Sequence, residues 1–340
     1  MLRERVTAQD VAKLAGVSQS AVSRVFTPGA SASAKTAEKV RRAAAQLGYR
    51  PNVLARAMVS GKSRIIGLVV AYLENQFYPL ALERLSNRLQ EKGYHLLVFM
   101  VSNAAEEVDG AVEDMLDYQV EGIIAASASI NSALTERCMQ AGIPVVMFNR
   151  SQDGAAFSAV TSNNLAGGRE VARFLVEGGH ERIAHIAGWQ GSSTGRDRAL
   201  GFRAGLEAAH VGLLAEVDGM YSRDVATEAA RRLMDRPDPP DAIFVGNDHM
   251  AFAVMDVLRW DLGIDVPGDV SIVGYDDVPL AAWGAYRLTS VRQPLQRMVE
   301  ATVEALLDRI EAPNRDAQHI EIEGSLVVRQ SARIPEGWTE

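Results

Sequence analysis

The sequence predicts an all-α head of three short helices, two of them forming a helix-turn-helix, followed by an α/β body of two lobes, each a doubly wound parallel sheet. Three observations predict it. Charge is segregated along the chain: residues 1–64 hold twelve Lys or Arg against three Asp or Glu, net +9, while the remainder holds 23 against 40, net −17. The first fifty residues contain three short amphipathic segments, each opened by a hydroxyl residue. Beyond Arg64, apolar runs alternate with helical periodicity, and the series occurs twice.

Composition sets the frame for these elements. At 340 residues the chain exceeds one ordinary domain, since domains run to ~150 residues. With 47% hydrophobic and 23% charged residues it is globular rather than disordered. Apolar runs such as Ile65 to Tyr72 and Ile123 to Ala126 fall well short of the ~20 residues of a membrane helix. Met1 to Val6 lack the apolar stretch of a secretory signal, so a cytoplasmic protein with no membrane partner is expected. The single cysteine, Cys138, has no Cys or His neighbours at zinc-ligand spacing, and no metal or cofactor is expected. A basic head on an acidic body points to a polyanion as the head's partner, with a merely solvated basic surface as the alternative that charge alone leaves open.

In the head, Thr7 is placed to cap a first helix, with Asp10 three residues on as in a capping box. Val11, Ala12, Leu14 and Ala15 supply its apolar stripe, and Gly16 ends it. Ser18 opens a second helix through Phe26, with Val17, Val22 and Val25 expected inside. Ser33 caps a third, which runs to Leu47 before Gly48 and closes the core with Val40, Ala44 and Leu47. On the second helix Ser20 and Arg24 share a face, and Gln19 projects beside them from the first turn. Arg suits guanine and Gln suits adenine in the major groove. A solvated helix face has the same composition, so these three residues alone leave both readings open.

The wider stretch is more specific. Val6-Thr-Ala-Gln-Asp-Val-Ala-Lys-Leu-Ala-Gly-Val-Ser-Gln-Ser-Ala-Val-Ser-Arg-Val25, then Ser33-Ala-Lys-Thr36 and Leu47-Gly-Tyr-Arg-Pro-Asn52, resemble the head of the lactose-repressor (LacI/GalR) family. The resemblance implies that Gln19, Ser20 and Arg24 read bases and that Thr7, Ser18, Ser23, Ser33 and Thr36 hold phosphates. Thr27 stands where the family commonly has Asn, and its hydroxyl is the candidate replacement contact. Pro51 ends the third helix and Asn52 can cap the run Val53 to Val59. So short a helix is marginal alone. The resemblance supplies a partner: paired hinge helices from two subunits enter the minor groove, Ala55 lets them approach, and Met58 is the apolar wedge where the family usually has Leu. Arg56 and Lys62 add charge beside the phosphates.

In the body, Ile65 to Ala71, His95 to Met100, Gly122 to Ala126 and Pro144 to Phe148 read as buried strands of one lobe. Arg182 to Ala187, Asp241 to Val245 and Ser271 to Tyr275 read as strands of the other. Two such lobes hold a ligand between them, at the carboxyl ends of the strands. Asn149, Asn247, Asp248, Asp276 and Asp277 lie just past strand ends, and Arg198 lies at a helix start. Amide, guanidinium and carboxylate groups suit a polyhydroxylated ligand, because each hydroxyl both donates and accepts. Turn-capping selects the same residue types.

This body resembles the periplasmic-binding-protein-like sensor of the same family through about Ala332. The resemblance implies a head over 1–50, a hinge over 51–64, a first lobe of 65–164 with 292–322, a second of 165–291 with 323–332, and a short tail, 333–340. It also implies effector contacts at Asn149, Arg198, Asn247 and Asp276, with Phe77 and Tyr221 as aromatic platforms. Trp283 is a further candidate for the pocket wall.

The expected function is a DNA-binding transcription regulator: a homodimeric repressor of sugar-catabolism genes, released from a palindromic operator by a sugar-like effector. A purine-type corepressor mechanism is the alternative within the class. A sugar-binding transport receptor is the alternative outside it, and it would require export. Catalysis is not expected. His180-Glu-Arg-Ile-Ala-His185 sets its histidines five apart rather than the four of a zinc-protease helix, and Gly191-Ser-Ser-Thr-Gly195 lacks the Lys of a phosphate loop.

Overall fold

In the computed structural model, which describes residues 6–26, 30–50, 62–101, 105–126, 137–138, 140–152 and 157–339 and excludes the side chains of 105–109, residues 1–64 and 65–340 separate as two units. Thr27, Asn52, Ala55 and Met58 lie outside the described residues.

The head comprises α1 (Ala8–Ala15), α2 (Gln19–Phe26) and α3 (Ala34–Leu47). Both halves of the capping box form on α1: the Thr7 hydroxyl accepts from the Asp10 amide, and the Asp10 carboxylate takes the Thr7 N–H at 2.9 Å. These bonds hold the Asp10 carboxyl below its ordinary pKa. Gly16 and Gly48 close α1 and α3 at φ 65° and 67°, where a side chain would be strained. Val11, Ala12, Val22, Val40, Ala43 and Ala44 form the core, with Val17, Val25, Phe26, Leu47 and Tyr49 packed around it. Leu14 departs from expectation. It is 48% exposed, because the buried stripe centres between Val11 and Ala12 and Leu14 falls outside that arc.

The first lobe carries β1 (Ile65–Val70), α4 (Phe77–Glu91), β2 (His95–Met100), α5 (Ala105–Asp117), β3 (Gly122–Ala126), β4 (Val145–Phe148) and β5 (Ser158–Ser162). The chain then builds the second lobe: α6 (Asn164–Glu177), β6 (Ile183–Ala187), α7 (Ser193–Ala208), β7 (Leu213–Asp218), α8 (Arg223–Met234), β8 (Ala242–Val245), α9 (Asp248–Asp256), β9 (Ser271–Asp276) and β10 (Thr289–Arg292). It returns to the first lobe for α10 (Leu295–Glu311) and β11 (His319–Ile322), then adds β12 (Ser325–Val327) to the second.

The sheets run β11-β5-β4-β3-β1-β2 and β12-β10-β9-β8-β6-β7. Pairing is parallel except that β12 joins β10 antiparallel, a departure from two purely parallel sheets. Alternation along central strands divides the core between two faces: Leu68 and Val70 pack with Leu85 and Leu89 of α4, whereas Val69 packs with Val112 and Met115 of α5. β2 does not match the expectation of a buried strand. It is an edge strand, and Val98 and Met100 are exposed. In the second lobe Phe174, Phe202, Phe244 and Tyr275 fill one face. The tail also packs here, with the Trp338 indole donating to Glu177 at 2.6 Å and meeting Phe174 edge-on. Among the described residues no helix is long and apolar enough to cross a membrane, and no three His, Cys, Asp or Glu side chains gather as a metal would require.

Candidate functional site

Strand order in each sheet reverses beside its first strand, so loops after neighbouring strands diverge there and leave a crevice at the carboxyl ends. Between the lobes those crevices form a small, partly open cleft. The first lobe contributes Tyr72 and Asn75 from the loop after β1, Tyr78 from α4, and Asn149 just past β4. The second contributes Thr194 and Arg198 from α7, Tyr221 after β7, Asn247 after β8, and Asp276 at the end of β9.

Each polar group has a structural reason for its position. Arg198 is buried, and its Nε donates to Asn164 Oδ1 at 2.9 Å and its Nη1 to the Gly246 carbonyl at 2.7 Å. Its Nη2 lies 3.4 Å from Asp276 Oδ1, with both side chains only 3% exposed. The guanidinium covers the Tyr275 ring at 3.6 Å. Asp276 also accepts from Gln293 Nε2 at 2.7 Å and from Asn75 Nδ2, across the cleft, at 3.3 Å. Asn247 Oδ1 caps α9 through the Met250 amide at 2.9 Å. Asn149 takes φ 67°, a conformation Asn tolerates, and its Nδ2 donates to the Tyr78 hydroxyl at 3.3 Å. Its Oδ1 is buried and has no hydrogen-bond partner among the described residues. Tyr221 shares a 2.9 Å hydrogen bond with Thr194. Gly188 makes room for the Tyr221 ring: a Cβ there would lie 2.2 Å from it.

Burial governs the electrostatics. Asp248, one residue beyond the cleft wall, accepts from Ser290 Oγ at 2.6 Å and from the Val278 amide at 2.9 Å. Burial, reinforced by the neighbouring Asp276 charge, pushes its pKa up to about 8. Burial also raises the Asp276 carboxyl, but the Arg198 guanidinium and the donors from Gln293 and Asn75 oppose that rise. Tyr72 and Tyr78 are driven above the ordinary phenol value by burial, so both remain neutral donors.

The network reaches the segments that pass between lobes. Gln293, between β10 and α10, receives a hydrogen bond from Ser162 at the end of β5, 3.0 Å, and passes one to Asp276. Asn164, the acceptor for Arg198, begins α6. The lobes also touch through the Ser151 amide and Ser193 Oγ at 3.0 Å.

Of the residues proposed from the sequence, Asn149, Arg198, Tyr221, Asn247 and Asp276 meet at this cleft. Phe77 does not: it is 2% exposed, stacks on Phe148 and meets Tyr78 edge-on in the core, because the first turn of α4 points it inward. Trp283 does not line it either. The short turn Pro279–Ala282 leaves Trp283 on the surface, 58% exposed. Asp277 turns away to pair with Arg292 and Arg329 at 2.6 Å each. Sequence reasoning missed Tyr72, Asn75, Tyr78 and Thr194. Tyr72 and Asn75 follow β1 as Asn149 follows β4, so the same strand-end criterion could have found them. A larger, open depression beside Trp260, Pro267 and Tyr286 lies elsewhere on the second lobe. Convergent polar groups at the carboxyl ends of two sheets favour the smaller cleft as the site.

The head presents a second candidate surface. Gln19, Ser20 and Arg24 are all exposed on α2, where Arg24 Nε folds back to the Ser20 carbonyl at 3.4 Å and Ser20 meets Ser18 Oγ at 2.9 Å. Thr7, Ser18 and Ser33 each accept a backbone amide at the start of α1, α2 and α3. Ser33 also bonds Thr36 Oγ1 at 2.9 Å, and Ser23 is exposed. Hydroxyls at helix N-termini are suited to phosphate.

A basic helix-turn-helix unit joined to two lobes around a polar cleft defines a ligand-sensing DNA-binding regulator. Residues 7–52 match the family described as bacterial regulatory proteins, lacI family, and residues 172–332 match the periplasmic binding protein-like domain. The chain is 30% identical over 329 residues to the ribose operon repressor of Escherichia coli (strain K12), covering 96% of this chain and 99% of that protein. Among solved structures it resembles the lac repressor dimer bound to operator and the anti-inducer ONPF, with TM-score 0.86, 28% identity, and coverage of 96% and 99%. It also resembles a complex of the transcriptional regulator CelR with cellobiose, with TM-score 0.72, 33% identity, and coverage of 96% and 100%. The chain belongs to the lacI family of bacterial regulatory proteins and is a DNA-binding transcriptional repressor.

Proposed function

We propose that this repressor acts as a homodimer on a palindromic operator and is released when a sugar-like effector occupies the cleft. The observation that carries this reading is the convergence of Asn149, Arg198, Asn247 and Asp276 from both lobes on one buried, hydroxyl-matched cleft. The bonds from Asp276 through Gln293 to Ser162, and from Arg198 to Asn164, support coupling of ligand contact to the segments between lobes. A ligand that prefers one lobe arrangement by a few kcal/mol shifts the population accordingly. On DNA, Gln19, Ser20 and Arg24 read bases while Thr7, Ser18, Ser23, Thr27, Ser33 and Thr36 hold phosphates. Asn52, Ala55 and Met58 of the hinge act in the minor groove. The chain binds rather than catalyses, and it works in the cytoplasm.

Selection from random duplexes identifies the operator, and anisotropy titrations with and without sugars then measure the response. The reading expects a palindromic site and weaker DNA binding with ligand. Tightening by ligand would replace release with corepression. A selected site without two-fold symmetry would remove the homodimer assignment.

A further inference from the structure

Resting on the reading of the cleft as the effector site, we propose that Trp338 is a positioning residue for it: through α6, Trp338 sets where Asn164 holds the Arg198 guanidinium. The two ends of α6 are held by different parts of the chain. At the first end Asn164 accepts from Arg198 Nε at 2.9 Å and donates through Nδ2 to the Ser162 carbonyl at 3.0 Å. At the last end the Trp338 ring stands edge-on to Phe174, with centroids 5.1 Å apart, and the Arg173 guanidinium covers it at 4.6 Å. Its Nε1 donates to Glu177 at 2.6 Å. The 14 residues of α6 put these two sets of contacts about 20 Å apart.

α6 also meets α7 backbone to backbone. A Cβ at Gly168 would lie 2.3 Å from the Arg198 carbonyl oxygen, and one at Gly201 would lie 2.1 Å from that of Leu165. No side chain lies there to give way, so the two helices shift together. α7 carries Thr194 and Arg198 into the cleft. The segment that bears Trp338 is itself fixed to β9, the strand that ends at Asp276. Ser331 Oγ donates to the Ile272 carbonyl at 2.6 Å, the Ile272 amide to the Ser331 carbonyl at 2.7 Å, and the Arg333 amide to Ser271 Oγ at 2.9 Å. Arg333 Nη1 reaches the Gly178 carbonyl, just past α6, at 3.2 Å. Between its ends α6 packs through Val171, Phe174 and Leu175, apolar contacts that carry no direction. Directional contacts at the ends therefore fix the helix along its axis, and Trp338 and Arg333 supply those remote from the cleft.

The test is hydrogen–deuterium exchange of the full chain, read as the ratio of exchange at the cleft ends of α6 and α7 to exchange in β8. Trp338→Ala is expected to raise that ratio by about tenfold, because the cleft ends loosen locally while β8 does not. Leu233→Ala truncates a core residue of α8, in a cluster that contains no residue of α6 or α7. As a general loss of stability it is expected to leave the ratio unchanged. Trp338→Phe keeps the ring and removes the donor to Glu177; it is expected to raise the ratio less, and it carries the test where Trp338→Ala does not fold. Faster exchange confined to the Glu177 end of α6 and to the Trp338 segment, or the same rise in Leu233→Ala, would overturn the inference. Ribose, glucose and galactose are then each titrated into the operator complex and followed by anisotropy. A sugar that releases the wild type is expected to be needed at about tenfold higher concentration in Trp338→Ala. An unshifted midpoint would overturn the inference and leave the sugar reading standing. Release of the wild type by none of the three would count against the sugar reading, and the exchange ratio alone then decides the inference.

Discussion

The head and the cleft use similar polar side chains in opposite circumstances. Gln19, Ser20 and Arg24 stand in solvent on α2 and make only local bonds. Arg198, Asn247 and Asp276 are buried and bonded to neighbours on several elements. The head's core is a separate cluster of small apolar residues that excludes Gln19, Ser20 and Arg24, so these three side chains and the folding of the head can be altered independently. In the cleft the groups that would meet a ligand also hold the lobes, so the two properties are tied. Burial decides the difference, because a polar group in water is replaceable by water and one in the interior is not.

The comparison breaks most visibly at Arg198. Arg198→Ala strands the Asp276 carboxylate and is expected to cost ~3–5 kcal/mol in urea unfolding; a loss near zero would show that the cleft is as separable as the head. Next comes pH. Asp248 binds a proton in the folded chain up to about pH 8 but only to about 3.8 when unfolded. Between those values the folded state holds the extra proton, so this group's contribution is complete below the lower value and is lost as pH rises to the upper. Melting temperature is therefore expected to fall from pH 6 to pH 8 more steeply in the wild type than in Asp248→Asn. His185, whose pKa burial lowers, acts with the opposite sign below pH 6.5, which is why the wild-type minus variant difference is the quantity to follow.

The head should respond in the reverse manner. Arg24→Ala is expected to cost ~1–3 kcal/mol of discrimination at one base position with an unchanged melting temperature, measured by competition between operator and random duplex. The smallest effect is at Thr7. Thr7→Ala removes the α1 cap and should cost ~1 kcal/mol of head stability, followed by helical circular dichroism on heating.

Much of this was legible in sequence, and for local reasons. Thr7 with Asp10, Gly16, Ser33 and Gly48 mark helix ends through bonds spanning three or four residues, which a linear reading can see. Central strands such as Ile123 and Ile124 in β3 were legible because both faces are buried and the run is continuously apolar. Edge and polar strands were not: Ser158–Ser162 and Leu213–Asp218 were missed, and β2 was read as buried although only one side of it is paired.

By itself the sequence determined the capped helices, the segregation of charge, the two series of buried strands and the family. These depend on neighbours along the chain and on composition, and they survive any rearrangement of distant parts. The tertiary structure alone decided that Asn75 would meet Asp276 from 201 residues away, that Phe77 would fill core rather than cleft, and that Arg198 would have its charge spent on Asp276. Those outcomes turn on which side of a helix or strand faces the second lobe. A rotation of one residue reverses them, and only packing fixes it.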